Sequence, residues 1–179
     1  FHQPLTMITS IVDPKGSPNL GDCLKPIGKG KRVFLVGRLD YNSSGLLLLT
    51  NHGELAYRLS HPRYEVKRVY EVKINGTPSD KDLKRLRAGI HLHDGVTSPA
   101  RVRILKRLRK KTWLEMELHE GRYREVRRIF EALGYSVEKL VRTRFGPIRL
   151  GSLPVGELHP LIPEEVESLQ RAVGLSNKH

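Results

Sequence analysis

Cysteine is almost missing from this sequence: its 179 residues include one, Cys23. That excludes a disulfide framework and a zinc site built on cysteine thiolates. A reducing, cytoplasmic setting is the expectation that follows. Long apolar runs are missing too. None approaches the roughly 20 residues that a membrane-spanning helix needs, and the first residues show no secretory signal pattern. There is no internal repeat, no low-complexity tract and no nucleophile-elbow serine motif. Gly28-Lys29-Gly30-Lys31 precedes an expected strand rather than linking a strand to a helix, and it lacks phosphate-loop spacing. His91 and His93 could share a strand face, but two imidazoles without a third ligand do not define a metal site. No cofactor and no metal is expected.

Negative charge is also scarce. Asp and Glu number 19 against 32 Lys and Arg, a formal net charge of +13. The basic residues are spread along the chain, which favours a folded surface with a positive field over a disordered basic arm. An extended polyanion fits that field, and nucleic acid fits it better than a membrane. The length suffices for one domain with a substantial core, built as two lobes and acting as a monomer. Residue 1 is Phe rather than Met, so a preceding segment is expected in the full protein.

The apolar patterning gives a mixture of strands and helices. Residues 5–12 are β-branched and apolar and read as a strand; residues 13–19 read as a loop. Residues 33–36 and 46–49 read as short buried strands, and residues 53–59 as a helix. Residues 69–75 form a strand with Tyr70, Val72 and Ile74 on one face. Residues 79–88 form a helix capped by Ser79 or Asp80, with Leu83 and Leu86 inward and Gly89 as the stop. Residues 101–105 and 112–118 make a hairpin whose connection is basic. In the helix over residues 125–133, Val126, Ile129, Phe130 and Leu133 line the apolar stripe. Strands over 137–141 and 148–150 and a closing helix over 163–173 complete the pattern. Hairpin-like links predict an α+β fold with a mixed, largely antiparallel sheet and packed helices.

Within that frame one segment is unusual. Gly37-Arg38-Leu39-Asp40 and the polar link Tyr41-Asn42-Ser43-Ser44-Gly45 lie between the two apolar runs. The link reads as a tight turn that holds Asp40 at the rim of the core, where catalytic groups on rigid scaffolds are found. Alone, an Asp in a turn is more simply a backbone cap. A second block is Glu120-Gly121-Arg122-Tyr123-Arg124-Glu125-Val126-Arg127-Arg128. Arg124, Arg127 and Arg128 have i, i+3, i+4 spacing and so share a helix face opposite the apolar stripe. Cations near a helix start oppose the dipole, and their density suits a phosphate-rich partner.

The string Gly37-Arg38-Leu39-Asp40-x-x-x-Ser44-Gly45-Leu46-Leu47 resembles the active-site motif of pseudouridine synthases. Its continuation Leu48-Leu49-Thr50-Asn51-His52-Gly53-Glu54-Leu55-Ala56 resembles the branch that modifies ribosomal RNA at single sites. The resemblance runs from about residue 4 to residue 161, and His61-Pro62-Arg63-Tyr64-Glu65-Val66 turns it toward the large-subunit members. It implies a catalytic domain over residues 1–179, two lobes around an RNA cleft, and no N-terminal S4-type RNA-binding module within this sequence. It implies ribosomal RNA as partner, 23S before 16S, free or in an assembly intermediate. A non-catalytic binding protein of the same fold is the alternative.

The resemblance also implies roles. Asp40 initiates glycosidic cleavage, by attack on sugar or base or by taking a ribose proton. Arg127, or else Arg128, is the basic partner that orients Asp40. Tyr70 stacks on the target base, and Leu140 packs against the base pocket. Arg38, Arg122, Arg124 and Arg128 contact the substrate. Family members carry a Lys before the first Pro; here Gln3 precedes Pro4, which removes that contact.

Overall fold

The fold is that of a computed structural model, described over residues 1–10, 19–27 and 30–175. In chain order the elements begin with β1 His2–Gln3, α1 Leu20–Cys23, β2 Phe34–Val36, β3 Ser44–Leu46, β4 Leu48–Thr50, α2 Gly53–Ser60, β5 Arg68–Asn75 and α3 Asp80–Ala88. They continue with β6 His91–Leu92, β7 Gly95–Val96, β8 Arg101–Arg107, β9 Lys111–Leu118, α4 Glu125–Ala132, β10 Val137–Phe145, β11 Ile148–Arg149 and α5 Pro163–Ala172.

Alternation builds the main sheet. Burial switches at every residue through β9, with Thr112, Leu114, Met116 and Leu118 inward, and β5 pairs with it antiparallel over its full length. The sheet runs β1-β3-β10-β5-β9-β8, with β11 folded back onto β10. Only β3 and β10 pair in parallel. Two short ribbons, β2–β4 and β6–β7, stand outside it. This is the α+β architecture expected, with a mixed and mostly antiparallel sheet.

Apolar side chains gather on two sides. One core joins β5, β8 and β9 to α3 and α4 through Val72, Leu114, Met116, Leu86, Ile129 and Phe130. The other joins β2, β3, β4, α2 and α5 through Val36, Leu46, Leu59, Phe145 and Leu169. A small third cluster holds Phe1, Met7, Leu20 and Leu47. Full burial of a Leu or Phe side chain stabilises by about 1.5–3 kcal/mol, so each core is a substantial contribution.

Three local expectations change. The apolar run over residues 46–49 is not one strand. It divides at Leu47 into β3 of the main sheet and β4 of the small ribbon, because Leu46 and Leu48 fill the second core while Leu47 points into the third. The strand expected over residues 5–12 is not formed through residue 10. Thr6 takes a left-handed φ of 61° in a turn, and Ile8 makes one isolated bridge to Asn19. The remainder of that stretch, the loop over residues 13–18 and the pair Gly28-Lys29 lie outside the described residues. Third, β8 and β10 run longer than expected, ending at Arg107 and Phe145.

The parallel β3–β10 contact fixes the position of the Asp40 turn. Gly45 has φ 118°, and a Cβ there would collide with the Arg142 backbone carbonyl. Glycine is the residue that meets both demands. β2 and β4 close antiparallel, Val36 opposite Leu48, so the chain between β2 and β3 projects as a loop from a rigid base.

Candidate active site

Asp40 sits in that loop with its side chain 28% exposed. Its carbonyl accepts from the Ser43 N–H at 2.9 Å, closing the turn. The preceding residue is braced from below. Thr9 Oγ1 donates to the Leu39 carbonyl at 2.9 Å and accepts from the Leu39 N–H at 3.1 Å, and it lies 2.8 Å from Gln3 Oε1. Gln3 is fully buried and donates to the Met7 carbonyl at 3.2 Å. The departure from lysine at this position therefore has a structural reading: Gln3 is part of the mount under the Asp40 loop.

The carboxylate faces a cavity of about 150 Å³. Tyr70 from β5 and Leu140 from β10 line it, with Leu118 and Val126 adding apolar wall. Arg38, exposed, stands at its edge, and Arg122 and Arg124 come from the loop before α4. The cavity thus gathers Asp40, Tyr70, Leu140, Arg38, Arg122 and Arg124 from segments far apart in the chain. A larger groove of about 970 Å³ lies elsewhere and contains none of these residues. Its size does not make it the better candidate, because its carboxylates, Glu157 and Glu165, share it with only two arginines, Arg32 and Arg149, and with no tyrosine.

The arginines do not fall as the helical spacing suggests. The expected face shared by Arg124, Arg127 and Arg128 is not present. Arg124 precedes the helix with a left-handed backbone, φ 46°. Its Nη1 is 3.8 Å from Asp40 Oδ2 and 3.5 Å from Asn42 Oδ1. Arg124 is thus the cation that pairs with Asp40, a place expected for Arg127. Arg127 is only 6% exposed. Its Nη2 donates to the Asn42 carbonyl at 2.7 Å and its Nη1 to the Val137 carbonyl at 3.3 Å. It clamps the Asp40 loop to α4 and β10. Burial lowers the Arg127 pKa, and the nearby Arg124 charge lowers it further, against an opposing contribution from Asp40.

Arg128 turns away. It lies 3.0 Å from Asp94, between β6 and β7, and donates to the Tyr123 carbonyl at 2.7 Å. Arg122 reaches Asp94 at 3.6 Å and Glu120 at 2.9 Å, and donates to the Val96 carbonyl. Arg128 and Arg122 therefore secure the loop before α4 with much of their bonding capacity. His91 lies in β6 and His93 beside it; among the described residues no group of three or more metal-binding side chains gathers.

Several lining residues gave no signal in the sequence. Arg68 and Arg142 are buried in β5 and β10 and both lie over the Phe145 ring, at 4.9 and 5.1 Å from its centroid. Arg142 Nε donates to the Leu46 carbonyl at 2.8 Å. Burial lowers the Arg68 pKa. Glu125, 5% exposed, is a carboxyl group in the first turn of α4. Burial, and then its hydrogen bond to Glu120 and that group's charge, push it up to about 7. These residues sit among apolar neighbours in strand or helix, and only the fold shows that they converge.

The combination is a carboxylate beside arginine, an aromatic side chain, apolar walls and an excess of positive charge. It can accept one base drawn from a polyanionic strand and hold a reactive carboxylate against its sugar.

The chain is similar to known proteins over most of its length. The family model described as RNA pseudouridylate synthase matches residues 11–132. An uncharacterised RNA pseudouridine synthase of Aquifex aeolicus is 45% identical over 176 residues, covering 98% of this chain and 70% of that protein. Ribosomal large subunit pseudouridine synthase B of Bacillus subtilis is 41% identical over 172 residues, covering 95% of this chain and 70% of that protein. A crystal structure of a pseudouridylate synthase superposes with a TM-score of 0.85 at 31% identity, covering 94% of this chain and 71% of that one.

Proposed function

The chain belongs to the RNA pseudouridylate synthase family, and from that premise we propose that it converts specific uridines of ribosomal RNA, in the large subunit, to pseudouridine with Asp40 as the initiating group. The observation that carries the site assignment is the Asp40 carboxylate on a cavity of about 150 Å³ whose lining includes Tyr70, apolar side chains and five arginines. The large-subunit target is supported by the likeness to synthase B of Bacillus subtilis.

The reaction is an isomerisation. The bond from the ribose carbon to N1 breaks, the uracil turns, and a bond to C5 forms. The C5 proton leaves and N1 ends protonated, so no atom is gained and nothing is oxidised. Asp40 opens the glycosidic bond. Arg124 draws the carboxylate into line, and Arg127 holds the loop through the Asn42 carbonyl. Tyr70 stacks on the extruded base, offsetting part of the stacking lost from the RNA, a contribution of about 1–3 kcal/mol. Leu140, Leu118 and Val126 keep water from the detached uracil, which must be retained until it has turned. Arg38 meets the phosphate of the flipped nucleotide.

In this reading residues 1–179 form the catalytic unit, acting as a monomer in the cytoplasm, where a lone cysteine suits a reducing compartment. Mapping pseudouridines in ribosomal RNA from cells with and without the protein tests it. Loss of one or a few large-subunit positions is expected; an unchanged map sinks the proposal, and loss confined to the small subunit moves the target.

A further inference from the structure

We propose that the rings of Tyr57, His61 and Tyr64, with the Arg63 guanidinium, form a stacking platform for an unpaired RNA nucleotide that flanks the target uridine. The inference rests on the reading of the chain as an RNA-modifying enzyme. It concerns a surface outside the Asp40 cavity.

Local geometry assembles the platform. Tyr57 and His61 are one helical turn apart at the end of α2, where the His61 N–H donates to the Tyr57 carbonyl at 2.9 Å. Pro62 then opens a single 3₁₀ turn over Pro62–Tyr64, which folds Tyr64 back toward both. The Tyr57 and His61 ring centroids are 5.2 Å apart, and each lies 6.5 Å from that of Tyr64. The two contacts with Tyr64 are edge-on, at 81° and 85°, and the third is tilted at 45°. No ring of the three is stacked flat on another, so their faces are not spent on each other. Tyr64 is half-buried against the second core, with Arg58 and Arg63 over its ring at 5.6 and 5.3 Å. Tyr57 is 51% exposed, and His61 is exposed beside it. Tyr64 is thus the backing, and Tyr57 offers the open face.

Charge selects the ligand. Arg58 is committed: its Nε donates to Glu54 at 2.8 Å and its Nη1 to the Val173 and Gly174 carbonyls. Arg63 is exposed, and its guanidinium has no carboxylate or carbonyl partner among the described residues. It is a cation left for a phosphate. His61 Nδ1 accepts from the Arg63 N–H at 3.2 Å, so the neutral ring carries its proton on Nε2 as a second donor. An open aromatic face beside an unpaired guanidinium matches a nucleotide, with base on ring and phosphate on cation. An apolar protein segment would use the rings alone.

The platform adjoins the cavity. Ser60 lines it, and Tyr57 stands three residues earlier on the same side of α2. Arg68, another lining residue, donates from Nη2 to the Leu59 and Ser60 carbonyls at 3.5 Å and ties the helix end to the cavity wall. A strand whose uridine enters the cavity brings its neighbours to this helix end. Extrusion leaves a neighbouring base without its stacking partner, and the Tyr57 face replaces it.

The experiment compares two end-labelled probes of equal length and charge by fluorescence anisotropy. One is an oligoadenylate of about 12 nucleotides; the other is the same ribose-phosphate strand without bases. Tyr57→Ala should lower affinity for the oligoadenylate by about five- to a hundredfold and leave affinity for the abasic strand unchanged. Tyr57→Phe keeps the ring and should bind both as wild type does. Arg63→Ala should weaken both probes alike and reduce the slope of log affinity against log salt by about 1. Urea denaturation checks that each variant is folded. A folded Tyr57→Ala that keeps the wild-type preference for the oligoadenylate overturns the platform and leaves the rings to a protein partner. A Tyr57→Phe as weak as Tyr57→Ala overturns it too, because the hydroxyl would then be the contact. Pseudouridine formation on large-subunit ribosomal RNA is measured alongside. A chain that forms none, yet loses its base preference with Tyr57, keeps the platform and loses the isomerase reading.

Discussion

Two loops face each other across the Asp40 cavity, and they are held by different forces. The loop with Asp40 is mounted on hydrogen bonds that no carboxylate supplies: Gln3 and Thr9 under Leu39, and the Asn42 carbonyl on the Arg127 guanidinium, whose charge does not titrate near neutrality. The loop with Arg124 is held by charge, through Glu120, Glu125, Arg122, Asp94 and Arg68. Such bonds change little between acid and alkaline solution. Ion pairs change with salt, and with pH where a carboxylate titrates. The reactive carboxylate thus stands on the insensitive side, and its partner on the sensitive one.

Substitutions on the two sides should separate accordingly. The largest effect is expected for Asp40→Asn, which keeps shape and removes charge. Isomerisation should vanish while RNA binding, measured by filter retention, stays nearly intact; turnover at the wild-type rate refutes the assignment. Next come the two arginines. Arg127→Met leaves the Asn42 and Val137 carbonyls without their shared donor, and a hydrogen bond to a charged group contributes about 1.5–3 kcal/mol. Its rate should fall more than that of Arg124→Met, since the Arg124–Asp40 pair is longer and partly exposed. Arg127→Lys should restore part of the loss, without the two-pronged geometry. Single-turnover rates decide. Raising salt should depress the wild-type rate through Arg124 and leave Arg124→Met nearly unaffected. If the Arg124 variant is the worse of the two and insensitive to neither salt nor pH, the contrast between the loops fails.

The smallest effect on chemistry is expected for Thr9→Val. It removes the hydroxyl that accepts from the Leu39 N–H and whose one proton is placed between the Leu39 carbonyl and Gln3 Oε1. Stability should drop by about 1–3 kcal/mol in urea denaturation, with the same loss at every pH near neutrality. A loss that varies with pH would show that the Asp40 loop depends on titrating groups after all.

Much of the site was legible beforehand, and the reasons are local. Asp40 stood between two apolar runs, so it had to lie at the edge of a core. Tyr70 fell on a face set by strand alternation, Leu140 was singled out by the family resemblance, and both line the cavity. The arginine block was recognisable as functional, but its assignment of partners was not. Helical spacing assumes that every residue is helical; Arg124 is not. The wheel also placed Arg127 on the face opposite the apolar stripe, whereas it is buried with a bond to Val137 at the start of β10. Composition likewise suggested a strand near residue 5 and could not foresee the turn at Thr6.

By itself the sequence determined the α+β class, the nucleic-acid-friendly charge, and the position of a lone carboxylate in a rigid turn. Each of these follows from composition or from periodicities of a few residues. The tertiary structure decided which arginine meets Asp40 and why Gln3 sits where it does. Those outcomes rest on groups brought together from distant positions, Thr9 with Leu39 across 30 residues and Arg127 with Asn42 across 85. Local spacing carries no information at such separations. Only the pairing of β3 with β10, and the packing of α4 against the same sheet, brings these groups within bonding distance.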